Sequence, residues 1–212
     1  MAVIASAFRC SHSRVDHPGV GASLSGAETP DLPIEFAPIL ARAQDGSPPA
    51  CRWLYESLAG RVAGYLRLHG SPEPDDLTSE VFLRVFDHLC DFAGDETGFR
   101  SWVFTIAHRL LIDDHRRRSR RPRTVELSDP VTESIPGGNA ESDAISAIEH
   151  QRIVDVLAAL APDQREVLTL RIVGDLTVDQ VADVLEKSRG AVKSLQHRGV
   201  AALRRRLQEA TP

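Results

Sequence analysis

The chain has 212 residues and a formal net charge of −5 with a pI near 5.9. That length permits two modest domains with cores of their own, and the balance excludes a uniform polycation that coats nucleic acid. The charge is segregated: residues 115–123 (HRRRSRRPR) hold six Arg and no acid, residues 186–209 hold seven Lys or Arg against Glu186 and Glu209, and residues 73–96 hold eight acids against Arg84 alone, so more than one partner is predicted.

Residues 1–33 are rich in Gly, Ser, Ala and Pro without sustained periodicity, which predicts a disordered N-terminal arm. The start MAVIASAFRC has no basic residue before its apolar run. The run is too short for a signal-peptide core or a membrane span, and the expectation is a soluble, cytoplasmic protein. Cys10, Cys51 and Cys90 are odd in number and match neither a zinc spacing nor a disulfide framework, so reduced thiols are expected. From 34 to 68 the pattern is helical with a break at Gly46, Ser47, Pro48 and Pro49. Trp53, Leu54, Leu58, Val62 and Leu66 face a core there. A further helix starts at the Pro74, Asp75, Asp76 turn and runs to about Leu89. Residues 91–98 (DFAGDETG) read as a loop, after which Trp102, Val103, Ile106 and Leu110 restore a helical stripe leading into the Arg cluster. Pro122 ends this order, and 123–143 reads as a flexible acidic linker. Helices resume at 144–160 and at 162–173, where Pro162 suits a first helical position. No alternation is long enough for a sheet and no internal repeat appears. The predicted fold is all-α, two small helical domains joined by a flexible linker.

The run from Thr177 to Leu207 reads as two helices meeting at a tight turn. Thr177 followed by Gln180 is a capping box, and Val178, Val181, Val184 and Leu185 share one face. Glu186 and Lys187 make the turn and Ser188 caps the second helix, whose inward stripe is Val192, Leu195, Gly199 and Leu203. Opposite that stripe lie Lys193, Ser194 and His197, with Arg189 and Arg198 at the edges. Cations and short hydrogen-bonding groups on such a helix suit phosphates and base edges of the major groove. A merely solvated face is the competing reading.

In this order the parts resemble group IV (extracytoplasmic-function, ECF) sigma factors of the sigma-70 family. The resemblance rests on DDLTSEVFLRVFDHL and FRSWVFTIAHRLLIDDHRRR within 74–121, and on LAPDQREVLTLRIVGDLTVDQVADVLEKSRGAVKSLQHRG within 146–208. It implies four parts: an arm (1–33), a region 2 domain (34–121), a linker (122–145) and a region 4 domain with a helix-turn-helix (146–209). The function implied is to bind core RNA polymerase and direct promoter-specific initiation, under control of an anti-sigma factor, with no cofactor and no metal site. Asp76, Glu80, Leu83 and Arg84 are then the contacts to the clamp helices of the largest polymerase subunit. Asp91, Phe92 and Ala93 form part of a pocket for an extruded minus-ten base, whose unstacking must be offset by contacts. Phe104, His108 and Arg109 belong to the same element, and Arg116, Arg117, Arg118, Arg120 and Arg121 hold phosphates. Arg189, Lys193, Ser194, His197 and Arg198 meet the minus-thirty-five element. Phe99, Trp102 and Phe104 could each stack or pack. Trp102 lies on the inward stripe and reads as core, whereas Phe104 lies off it and reads as a functional surface.

Three departures from the family's pattern bear on specificity. Arg109 stands where many relatives carry Asn. Glu186 stands where the turn usually has Gly, and a positive φ there costs a non-glycine residue roughly 1 kcal/mol or more. Leu195 and Gln196 replace the commoner Arg and Leu. Two other classes compete. A conventional helix-turn-helix regulator leaves the second basic module without a role. A metal-dependent nuclease using Asp113, Asp114 and His115 is opposed by helix geometry, since adjacent residues point about 100° apart. No phosphate-cradling glycine loop, metal-ligand cluster or nucleophile with a base is present in the sequence, so the chain itself is not expected to be an enzyme.

Overall fold

The computed structural model describes residues 35–120, 157 and 159–209. The expected arm, the linker, Arg121 and most of the helix expected at 144–160 lie outside the described residues. Among those described, no strand occurs. The order is α1 (Phe36–Gln44), α2 (Pro48–Leu68), α3 (Pro74–Asp87), a 3-10 turn (Leu89–Asp91), α4 (Glu96–Arg120), α5 (Pro162–Ile172), α6 (Val178–Val184) and α7 (Arg189–Glu209).

Local chemistry sets these boundaries. Proline opens α2, α3 and α5, where its missing N–H would have had no helical partner. Gly46, at φ 83°, makes the turn between α1 and α2 in the left-handed region that only glycine enters cheaply. Asp75 and Asp76 place negative charge in the first turn of α3, against the positive end of its dipole. Helix α4 begins at Glu96, earlier than the hydrophobic stripe predicts, because Asp95 caps it. Its carboxylate accepts from the Gly98 amide at 2.8 Å and from the Thr97 hydroxyl at 3.0 Å. Those bonds, the Gly98 amide foremost, hold the Asp95 carboxyl below its ordinary range.

Helices α1 to α4 close around Leu54, Leu58, Val62, Leu66, Val81, Phe82, Val85, Leu89, Phe99, Val103 and Leu110, all buried. The expected inward positions of α2 are therefore the observed ones, with Trp53 half-buried at the margin. One expectation fails here. Phe104 is fully buried, edge-on to Tyr65 with ring centroids 5.7 Å apart, and does not form a surface. The single-stripe argument missed it because α4 packs against α2 and α3 and also against α6, so its buried arc is wider than one stripe. The cysteine expectation is also corrected. Cys51 is free and buried, its thiol pushed up by burial, but Cys90 is disulfide-bonded. Spacing along a chain does not report the close Cα approach that pairing requires.

Helices α5, α6 and α7 form the second unit around Val167, Leu168, Leu170, Leu176, Val181 and Val192. Helices α5 and α7 approach tightly at Gly199, where an added Cβ would meet Leu168 Cδ1 at 2.9 Å and Leu168 Cγ at 3.2 Å. Glycine weakens a helix interior by about 1 kcal/mol relative to alanine, so the close approach is what favours it here. Gly199→Val is expected to destabilise the second unit by roughly 1–3 kcal/mol through overpacking. Chemical denaturation of the variant, read as a lowered midpoint at unchanged slope, checks this.

Candidate nucleic-acid interface

The two-helix motif forms as its sequence dictates. Thr177 Oγ1 accepts from the Gln180 amide at 3.2 Å while Gln180 Oε1 accepts from the Thr177 amide at 2.8 Å, and Ser188 Oγ accepts from the Ala191 amide at 3.2 Å. Between them Glu186 sits at φ 52°. Its amide and that of Lys187 donate back to the carbonyls of Asp183 and Ala182 at 3.3 and 2.9 Å, which closes the end of α6. The strain expected of a non-glycine residue in this turn is thus present. Val192, Leu195 and Gly199 are buried, and Lys193, Ser194, His197 and Arg198 are exposed together on the opposite face of α7. Arg189 is tethered, its Nε donating to Asp179 Oδ1 of α6 at 2.7 Å.

The segment expected to hold an extruded base is anchored from an unexpected direction. Gln44, at the end of α1, donates through Nε2 to the carbonyls of Leu89 and Phe92 at 3.0 and 2.8 Å. No motif marks Gln44 in the sequence. Asp91 and Ala93 are exposed, while Phe92 is half-buried with its ring stacked on Trp102 at 5.1 Å and edge-on to Phe99 at 5.4 Å. Trp102 therefore packs, as its stripe position predicts, and Phe92 offers one edge of an aromatic cluster to solvent.

Along the C-terminal half of α4 the basic residues are not equivalent. Arg109, Arg116, Arg117 and Arg120 are exposed. Arg118 is drawn inward, donating to Asp114 at 2.5 Å and to the Gly70 carbonyl at 3.2 Å, so it differs from the expected phosphate grip. Asp113 lies 3.7 Å from Arg116, so the adjacent carboxylates Asp113 and Asp114 serve separate arginines. On α3, Asp76, Glu80, Leu83 and Arg84 lie along one side of the helix. Glu80 pairs with Arg84 at 2.8 Å, and Leu83 is 42% exposed, one of two large apolar residues left so open among those described. A groove of about 480 Å³ brings Asp76 and Glu80 beside Arg117, Arg118 and Arg120.

His108 is the second displaced expectation. It is 8% exposed, and its Nδ1 lies 3.0 Å from the Tyr65 hydroxyl and 3.1 Å from Glu166 Oε1. A residue expected on the minus-ten surface is thus buried against Glu166 of α5. Burial pushes the Glu166 carboxyl up, but the His108 hydrogen bond and the charges of His108, His69 and Lys187 together bring it below its ordinary range. The Tyr65 hydroxyl is raised well above its ordinary value, chiefly by burial and also by the Glu166 charge.

The architecture defines an all-helical protein that pairs an aromatic and basic helix with a helix-turn-helix unit. Residues 54–121 match the family Sigma-70 region 2, and residues 156–205 match Sigma-70, region 4. The chain is 32% identical over 160 residues to the ECF RNA polymerase sigma factor SigL of Mycobacterium tuberculosis, covering 74% of this chain and 89% of SigL. It is 32% identical over 173 residues to the ECF RNA polymerase sigma factor BldN of Streptomyces coelicolor, a match that takes in 81% of this chain but only 65% of BldN. The fold is also that of CnrH, solved in complex with the cytosolic domain of CnrY, at a TM-score of 0.58 and 24% identity over 82% of this chain and 97% of that one. The chain belongs to the ECF sigma factors of the sigma-70 family. Among the described residues, no helix is long and apolar enough to cross a membrane.

Beside the His108 contact lies His69, whose ring meets Tyr65 at 4.6 Å and whose Nε2 is buried without a hydrogen-bond partner among the described residues. Burial pushes its imidazole down to about 4; the Glu166 charge opposes the shift, and Arg165, His108 and His115 add to it. Between pH 6.5 and about 4 the unfolded chain binds this proton and the folded chain does not, so stability falls as pH falls through that window. A shift of this size corresponds to roughly 3 kcal/mol. Glu166, with its lowered value, acts in the same direction, since its stabilisation is present above the ordinary glutamate range and lost on acidification. Urea denaturation at pH 7 and pH 4.5 is expected to show the loss, and His69→Leu is expected to flatten a large part of the slope.

Proposed function

We propose that this chain binds core RNA polymerase and directs it to promoters with separate minus-thirty-five and minus-ten elements. The outward face of α7 (Arg189, Lys193, Ser194, His197, Arg198) reads the upstream element as duplex. Asp91, Phe92 and Ala93 with exposed positions of α4 engage the downstream element as it opens. Arg116, Arg117 and Arg120 supply the sequence-independent grip on phosphates, a contribution that weakens with salt. Asp76, Glu80, Leu83 and Arg84 on α3 dock on the clamp helices of the largest polymerase subunit. The polymerase performs the chemistry; the chain itself is not an enzyme. The observation that carries this reading is the shared exposure of Lys193, Ser194, His197 and Arg198 on a helix whose other face is buried. That is the presentation major-groove readout requires.

The division of labour is testable. Lys193→Ala combined with Arg198→Ala is expected to lower promoter-specific run-off transcription tenfold or more, since a phosphate or base contact contributes roughly 1–3 kcal/mol, while pull-down of core polymerase is unchanged. Equal loss of both properties contradicts the assignment. A gel shift with and without core polymerase separates the reading from a stand-alone helix-turn-helix regulator, which would bind the duplex unaided. We also propose control by an anti-sigma factor, a protein partner that native mass spectrometry of the chain isolated from its host is expected to reveal.

A further inference from the structure

Helix α1 is short, and both of its ends hold the segment between α3 and α4. At its start the Phe36 ring lies tilted on Phe99, in the first turn of α4, with centroids 5.5 Å apart. At its end Gln44 reaches the 3-10 turn, and Leu40 and Ala43 between these two contacts are buried. The two ends are ~12 Å apart at ~1.5 Å per residue, so the helix braces residues 89–99 from one end of that segment to the other.

The bonding at Gln44 uses its amide in full. The NH2 group has two hydrogens, and the carbonyls of Leu89 at 3.0 Å and Phe92 at 2.8 Å accept them. These carbonyls belong to the first residue of the 3-10 turn and to the residue that caps its end, where the Phe92 amide donates to the Leu89 carbonyl at 3.2 Å. A hydrocarbon of similar length has nothing to donate, and a carboxylate of the same shape turns acceptors toward acceptors. The Phe92 ring is seated as firmly as its backbone. It stacks on Trp102 at 5.1 Å and stands edge-on to Phe99 at 5.4 Å, and an added Cβ at Gly94 would lie 3.0 Å from its Cζ. Asp91 and Ala93, on either side of it, are exposed. A fixed backbone and a fixed ring flanked by two open side chains suit a receptor for an unstacked base, because contacts that need no prior ordering offset the cost of unstacking most effectively.

We infer that Gln44 is a positioning residue for promoter opening: by pinning the Leu89 and Phe92 carbonyls it presets the turn that presents Asp91, Phe92 and Ala93 to an extruded minus-ten base. The inference rests on the sigma reading of the preceding subsection and adds to it a residue outside the loop, on a different helix. Gln44 acts through the turn and not on DNA, since its donors are spent on the two carbonyls.

Two substitutions in the full chain test this. Gln44→Met keeps the length and removes the donors, and Gln44→Glu keeps the shape and replaces donors with acceptors. With core polymerase on a promoter selected by wild type from a random library, both are expected to lower the permanganate reactivity of minus-ten thymines about tenfold or more, Gln44→Glu more strongly than Gln44→Met. Pull-down of core polymerase and binding of the minus-thirty-five duplex are expected to stay unchanged. All variants are compared at one redox state, because Cys90 lies in the turn and is disulfide-bonded. A Trp53→Phe background leaves Trp102 as the sole tryptophan. Gln44→Met in that background is expected to raise acrylamide quenching of the Trp102 fluorescence, since Phe92 is then no longer held on it. Wild-type opening by Gln44→Met, equal loss of opening and polymerase binding, or unchanged quenching overturns the inference. If wild type itself directs no initiation, the sigma reading has failed and the role in opening falls with it, while the quenching comparison decides whether Gln44 fixes the turn.

Discussion

Everything in this structure leans on α4 being buried along more than one face. An amphipathic helix normally commits one stripe to a core and leaves the rest to solvent. Here Phe99, Val103, Phe104, Ala107, His108, Leu110 and Leu111 are all buried, and only Arg109 interrupts that run from Ala107 to Leu111 with an exposed side chain. Such a helix needs partners on several sides. It finds α2 and α3 within its own unit and α6 from the other, which makes it a wall shared by two domains. The same helix carries the cluster that would hold promoter phosphates. Packing and binding are separated along its length, with burial concentrated before Leu111 and the exposed arginines from Arg116 onward.

The helix-turn-helix achieves its geometry differently, through local hydrogen bonds and one steric requirement. The capping box fixes the start of α6, the amides of Glu186 and Lys187 fix its end, and Ser188 fixes the start of α7. What remains is the angle at which α7 crosses α5, and Gly199 sets it by letting Leu168 approach where a side chain would stand. The exposure of Lys193, Ser194, His197 and Arg198 follows from that crossing, because the buried stripe of Val192, Leu195 and Gly199 determines which side of the helix is left to solvent.

Much of this was legible in the sequence because it is local. Prolines at helix starts, the Thr177 and Gln180 pair, the Gly46 break and the alternation of apolar and charged positions on α7 each act within a few residues. Asp95, three residues before Gly98, was also a readable cap, but the loop-like composition of 91–98 concealed it. Phe104 and His108 were not readable, since both are buried by elements remote in sequence and a stripe drawn on one helix assumes a single neighbour. Gln44 escaped for the same reason: it secures the segment around Phe92 across more than forty residues, and nothing about an isolated glutamine announces that. Arg118 marks the limit of counting charge. Its guanidinium is held by Asp114 and the Gly70 carbonyl, so the basic run presents fewer outward cations than its composition implies.

Charge placement also explains why a net acidic chain can serve an acidic polymer. Opposite charges that lie within one helix turn, such as Glu80 with Arg84, largely cancel beyond a Debye length of about 8–10 Å at physiological salt. Among the described residues, Lys193 and Arg198 have no acidic partner on their own face of α7, whereas Arg189 is paired with Asp179 and Lys187 lies 3.7 Å from Asp163. The field at the recognition face is therefore set by fewer residues than the basic count of α7, and by their orientation more than by total charge. Exposed pairs of this kind contribute little to stability, so their more consequential effect is to limit which cations reach outward. On the proposed reading, selectivity for a groove over a generic polyanion then falls to Ser194 and His197, the hydrogen-bonding groups placed between the two cations.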